Sequence, residues 1–377
     1  MDRRCAVIVL SGLTLAACAG PPGAKPLVDP FPLRFPLVEA GALEIEGHVT
    51  GRLSAYGGAV YYSTREGYLT AVGAPSGGIL WRFRADHSFS TSPVISGDVV
   101  LIRDDGGILY GISRATGELC YRTAIPAAAT EVIGIFGGGT FLGTAEGAWI
   151  SVDPGGRIGG EYRLQGPPAK ITAGPAPVLD ADSRLDLLLF GCADGRLVAV
   201  KPKGTPAWEF RARGAIQRGL GQFGKTVLFG DSDRMFYCLD AASGKVKWRR
   251  RLQGAPVHAA VVVGKTVTLA ASNSVVYRLS VKGGSLLSWE AVPSRIIYEP
   301  APAGGLVLIS SATSTLFALD ARTGKRAGQY EARGLLASGA VWAPPFVVLF
   351  VEDRGPGLQR LVFLMPRQPF PASRGKE

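Results

Sequence analysis

Two stretches of this 377-residue chain have residue types and spacings that could do chemistry. Gly219-Leu-Gly-Gln-Phe-Gly224-Lys225-Thr226 satisfies the phosphate-loop pattern letter for letter. Such a loop holds phosphate only when a helix follows and turns its N–H groups toward it. Val227-Leu-Phe-Gly follows instead and reads as a strand, and Gly264-Lys265-Thr266 recurs at the same place one repeat later. Nucleotide binding is therefore set aside. Asp180-Ala-Asp182-Ser-Arg-Leu-Asp186 offers hard oxygen donors at alternating positions, which suits calcium. It lacks a middle acid and places Arg184 inside the loop. Asp180, Asp182 and Asp186 are thus a weak calcium candidate, weighed against a solvated loop. His48, His87 and His258 are far apart, and none has metal-ligand spacing. No Gly-x-Ser-x-Gly elbow follows the N-terminal region. No catalytic residue, cofactor or firm metal site is assigned, and the chain reads as a non-enzyme.

The N-terminus is more specific. Asp2, Arg3 and Arg4 precede an apolar run from Cys5 to Leu15, and Leu15-Ala16-Ala17-Cys18 ends it. A basic start, a short apolar core and small residues before a cleavage point describe an export signal over 1–17. The run is shorter than the roughly 20 residues a bilayer span needs. An ordinary signal peptide, with Cys18 incidental, is the alternative. Leu-Ala-Ala-Cys resembles the bacterial lipoprotein box, which implies lipidation at Cys18. Ala19 in place of Asp favours the outer membrane under that resemblance. Residues 18–37 are rich in Pro and read as a lipidated, semi-rigid tether.

The chain holds 41 Lys and Arg against 30 Asp and Glu. Without Asp2, Arg3 and Arg4 the balance is 39 against 29, a net of +10. Export removes such a basic chain from nucleic acid, so anionic envelope material or an acidic protein face is the expected counterpart. The densest cluster is Lys245, Lys247, Arg249, Arg250 and Arg251, whose plain reading is a solvated strand and turn. Cys120, Cys192 and Cys238 remain beside Cys18, an odd number that makes no disulfide framework and reads as free thiols. With 51 Gly and 26 Pro, the composition points to many turns and few long helices.

Periodicity settles the architecture. A phrase recurs: Gly, a β-rich run, a polar turn, a second β-rich run, a turn with Gly, then an aromatic. The clearest copy runs from Gly224 through Met235-Phe-Tyr-Cys-Leu-Asp240 and Gly244 to Trp248. Val60, Val99, Thr140, Leu188, Val227, Val267, Val307 and Val347 mark eight copies spaced about 40 residues apart, with one interval of 48. Eight β-rich repeats of this length define an eight-bladed β-propeller of four-stranded antiparallel blades over 38–366. In the fifth blade the strands are expected near 214–222, 225–230, 234–240 and 246–252. Trp81, Trp208, Trp248 and Trp289 are expected to pack between blades. The last copy lacks a fourth strand, and Leu43-Glu-Ile-Glu-Gly-His-Val49 precedes the first. This N-terminal strand is expected to complete the eighth blade and close the ring. Residues 367–377 are then a disordered tail.

This phrase resembles the repeats of the quinoprotein-like propeller superfamily. With the lipoprotein box and short tether, the chain resembles the BamB family of the outer-membrane β-barrel assembly machinery. The resemblance implies a lipid-anchored outer-membrane protein on the periplasmic side, acting as one copy within a hetero-complex. It implies a β-barrel assembly protein with periplasmic domains as partner. Quinone dehydrogenases of this superfamily are much longer and carry an adjacent Cys-Cys pair that this chain lacks, so a quinone-dependent oxidoreductase is the minor alternative. A module for another envelope complex or an anionic polymer is the second.

Strand order puts the turns between second and third strands on one face with the connections between blades. Apolar side chains beside Arg in exposed connections are typical of binding hot spots. Lys170, Ile171, Ile216 and Arg218 are the partner-binding candidates by position and chemistry.

Overall fold

The computed structural model describes residues 8–10, 13–15, 32–74, 76–126, 129–136, 139–180, 182–217, 219–353 and 358–367. Cys18, Arg218, most of the tether and the tail from 368 lie outside them. Within the described residues every regular element is a strand. Ile8–Leu10 and Leu13–Leu15 form a small hairpin, and eight antiparallel sheets make up the propeller. In each blade the strands are lettered a to d from the channel outward.

Blade 5 shows the plan: Gly221–Phe223, Thr226–Gly230, Met235–Asp240 and Val246–Arg251, paired in that order. Three strands match the sequence expectation closely, and strand a is shorter at its start. Strands b and c are buried along almost their whole length because each is covered by a blade on both faces. Strand d alternates between exposed and half-buried residues, since only one of its faces meets a neighbour. Val60, Val227, Val267, Val307 and Val347 all lie in strands b with no exposed surface, which is why their spacing is so regular.

The longest interval between repeats comes from blade 4. Its strands Ile171–Leu179 and Leu185–Cys192 are extended and meet at a longer hairpin.

The ring closes as expected. Leu37–Ile45 is the outer strand of the last blade and pairs with Gln359–Pro366, from Leu37 opposite Pro366 to Ile45 opposite Gln359. The expected 43–49 strand is in fact split. Gly47 has a φ of +100°, and the Glu66 carboxylate accepts the His48 N–H, so the chain turns there. Val49 then begins strand a of blade 1, Val49–Tyr56. The folded part also begins earlier than 38. Leu33 is buried, its N–H donates to the Gly304 carbonyl at 3.1 Å, and the Phe35 side chain lies against Gly328.

One aromatic expectation fails. Trp81 packs on Gly117, Trp208 on Gly244 and Trp248 on Gly284, each a glycine in the next blade's c–d turn. Trp289 does not, and it is 61% exposed. Cys238 faces Trp248 in blade 5, whereas the equivalent Arg278 of blade 6 faces Ser288. The tryptophan is therefore one residue out of phase and points to the other side of the strand. Arg278 fills the vacated place against Gly324 and donates to the Ala321 carbonyl at 3.1 Å.

Candidate docking face

Connections between blades enter a new strand a, and in blades 1, 2 and 4 to 7 the b–c turn of that same blade reaches back to hold the connection. Ala193 N–H donates to the Lys170 carbonyl at 2.9 Å, Ser232 to Ala215 at 2.9 Å, Ser272 to Ala255 at 2.8 Å and Ala312 to Arg295 at 3.0 Å. The turns and connections thus form one backbone-tied surface.

Buried side chains fix it further. Arg196 is 2% exposed, and its Nε lies 2.6 Å from Asp194. Its two Nη groups donate to the carbonyls of Gln165 and Pro167, so one guanidinium pins the connection that leads to Lys170. Asp105 accepts from the Ser88 and Ser90 hydroxyls. Burial opposes its charge, but these donors and Arg103 hold its carboxyl below the usual range.

The candidate residues divide. Lys170 is exposed on this face. Ile171 and Ile216 have no exposed surface and cannot be docking anchors. They wedge between blades instead, Ile171 against Gly143 and Ile216 against Gly191, and Pro256 repeats the role against Gly230. The available sign was a glycine near the end of strand b, matched by an apolar residue or proline in the connection that enters the next blade. Arg218 lies outside the described residues. The exposed apolar residues sit further round the ring. Ile297 is 41% exposed beside exposed Arg295, and Leu335 is 58% exposed beside exposed Arg333. They belong to successive connections, into blades 7 and 8.

The acidic loop of blade 4 has a local task. Asp180 Oδ1 accepts the N–H groups of Asp182 at 2.8 Å and Arg184 at 2.9 Å, and Asp182 lies 3.7 Å from Arg184. Asp153 caps its own turn through Gly155 and Arg157 in the same way. Among the described residues, no group of three or more His, Cys, Asp or Glu is placed to hold a metal ion. The glycine–lysine pair of the phosphate-loop pattern lies on a strand-to-strand hairpin, as its sequence context implies. A cleft between the outer strands of blades 3 and 4, lined by Arg163, Trp208 and Glu209, holds about 150 Å³. Small-molecule sites usually offer about 300–1,000 Å³, so this cleft is smaller than a typical one.

Eight four-stranded blades closed by an N-terminal strand define an eight-bladed β-propeller. The sequence profile described as "Outer membrane protein assembly factor BamB" matches residues 43–210 and 193–334. The chain belongs to that family.

Among solved structures, BamB from Moraxella catarrhalis is similar at 16% identity and a TM-score of 0.68, covering 87% of this chain and 99% of that one. The computationally designed Ika8 protein is similar at 17% identity and a TM-score of 0.70, covering 85% and 98%. Quinohemoprotein alcohol dehydrogenase from Comamonas testosteroni is similar at 11% identity and a TM-score of 0.68, covering 89% and 77%. At these identities the likeness is one of fold. No curated protein sequence matches the chain.

Proposed function

We propose that this chain is a non-catalytic scaffold lipoprotein, anchored through Cys18 on the periplasmic side of the outer membrane and docked to the β-barrel assembly machinery. The family match over residues 43–334 carries this reading. The rigid face of b–c turns and inter-blade connections is the docking surface. Ile297 and Leu335 are its apolar anchors, Arg295 and Arg333 flank them, and Lys170 adds charge further along. An exposed apolar side chain next to an Arg gives a contact that excludes water around a cation, the usual make-up of a hot spot. Exposed Asp105 falls on the same face by strand order.

The test is affinity purification of the tagged chain from gently solubilised envelopes, with mass spectrometry of co-purifying proteins. Recovery of a β-barrel protein with periplasmic domains is expected. Ile297→Asp with Leu335→Asp should abolish it while circular dichroism stays unchanged. Recovery of a different secretion or wall-synthesis complex would overturn the assignment. The net charge of +10 that remains without Asp2, Arg3 and Arg4 supports a second reading, a module for an anionic envelope polymer. That reading requires binding that falls steeply with salt, which contacts built on Ile297 and Leu335 would not show.

A further inference from the structure

The opposite face carries the a–b and c–d turns, and in blades 5, 6 and 7 the two turn types are tied to each other. Ala241 N–H donates to the Lys225 carbonyl at 2.9 Å, Val281 to Lys265 at 3.0 Å and Ala321 to Gly305 at 3.0 Å. From the c–d turn of blade 4 to that of blade 7, the turns present Lys201, Lys225, Lys245, Lys265, Lys282 and Lys325, all exposed. One turn in this series has no lysine, Gly304-Gly305 of blade 7, and there Leu33 docks through its N–H.

The acids among these turns are Asp240 and Asp320, and both are engaged locally. Asp240 accepts from Ser243, and Asp320 from Arg322 and Thr323. Apolar side chains stand at the same end of the strands: Phe223 is 39% exposed, Val246 44% and Leu287 49%. Trp289, further along the same strand as Leu287, is 61% exposed.

We propose that the lysine-bearing turns from the c–d turn of blade 4 to that of blade 7 lie against an anionic phospholipid bilayer, with Phe223, Leu287 and Trp289 entering the headgroup layer. Charge complementarity supports the bilayer as occupant, since each cation near an anionic leaflet adds to the attraction. The position of the chain start supports it too. Leu33 docks on this face, and only the short segment 19–32 separates it from Cys18. A tether that short keeps the face within reach of the membrane that holds the lipid. An exposed Trp on the outer strand matches the preference of amphipathic rings for the interface. This inference rests on the anchored-scaffold reading for its geometry.

The experiment is vesicle flotation of the full chain carrying Cys18→Ala, so that no lipid anchor contributes. Phosphatidylcholine vesicles are compared with vesicles containing about one-third phosphatidylglycerol. The second protein carries Lys225→Glu, Lys245→Glu and Lys265→Glu in addition. Both proteins share the same leader, so their difference reports on the turns alone. The Cys18→Ala parent is expected to float with phosphatidylglycerol vesicles, and the triple reversal to partition at least about tenfold less. Brominated lipids should quench fluorescence that disappears in Trp289→Phe. Equal flotation of the two proteins, or no preference for phosphatidylglycerol, overturns the proposal. Loss of a co-purifying acidic protein from the triple variant, without any change in flotation, assigns the face to that protein and overturns it as well. Incorporation of labelled fatty acid at Cys18 in the unsubstituted chain tests the anchor separately, so the two readings fail independently.

Discussion

The phenol of Tyr237 donates a 2.9 Å hydrogen bond to the buried carboxylate of Asp231, and Tyr110 does the same to Asp104 at 2.9 Å. In both blades the acid directly follows strand b and the tyrosine lies in strand c, so the bond braces a b–c turn of the candidate docking face. Burial first, and the facing carboxylate with it, push both phenols up to about 12. A folded-state value above the ordinary 10 means the stabilisation is complete below pH 10 and is lost as pH climbs through 12. Phenolate absorbance should therefore show late-titrating tyrosines, with the far-ultraviolet signal collapsing as they ionise. Tyr237→Phe should remove one late phenol and cost about 1–3 kcal/mol at neutral pH, because Asp231 stays buried with one donor fewer.

Arg196 is the second brace. Replacing it with Ala leaves Asp194 without its cation and two carbonyls of the 165–167 connection without donors. A loss of about 3–5 kcal/mol is expected, read as a fall in the denaturation midpoint. An unchanged midpoint would show that water replaces the guanidinium at no cost.

The phase of the tryptophans makes a paired prediction. Trp81→Ala empties a site that is 8% exposed and removes a 2.9 Å bond to the Arg114 carbonyl, and should cost about 3–5 kcal/mol. Trp289→Ala removes a largely solvated ring and should stay within about 0.5 kcal/mol. Equal losses in urea denaturation would contradict the one-residue shift in blade 6.

The thiols should separate cleanly. Cys120 is exposed on the outer strand of blade 2, while Cys192 and Cys238 are buried. Burial pushes the Cys192 thiol up to about 12 and raises that of Cys238. An aromatic disulfide reagent should modify Cys120 in the native protein and reach the other two only in denaturant. Fast native labelling of Cys192 would mean that blade 4 opens.

Blade number, strand positions and ring closure were legible in the sequence because they follow from a regular repeat period and an unpaired strand at each end. The docking residues were less legible. A run such as Lys170-Ile171 shows that an apolar residue adjoins a cation, but not which of them faces inward. That depends on Gly143 in the preceding blade, which leaves a gap that Ile171 fills beside Thr130. Trp289 misled for a related reason. The repeat gave its approximate place, whereas its side of the strand depends on a single residue of phase, Ser288 against Arg278. Pro-rich composition likewise does not reveal that Leu33 and Phe35 pack on blade 7.

The pairing of Leu37–Ile45 with Gln359–Pro366 joins segments from opposite ends of the chain. As the chain is synthesised, the first partner emerges early and the second late. Until then the growing chain holds two raw sheet edges, and no number of finished blades can hide them. Maturation is therefore timed by the last strand to emerge, and a chain cut short before Gln359 should be marked for proteolysis by those open edges.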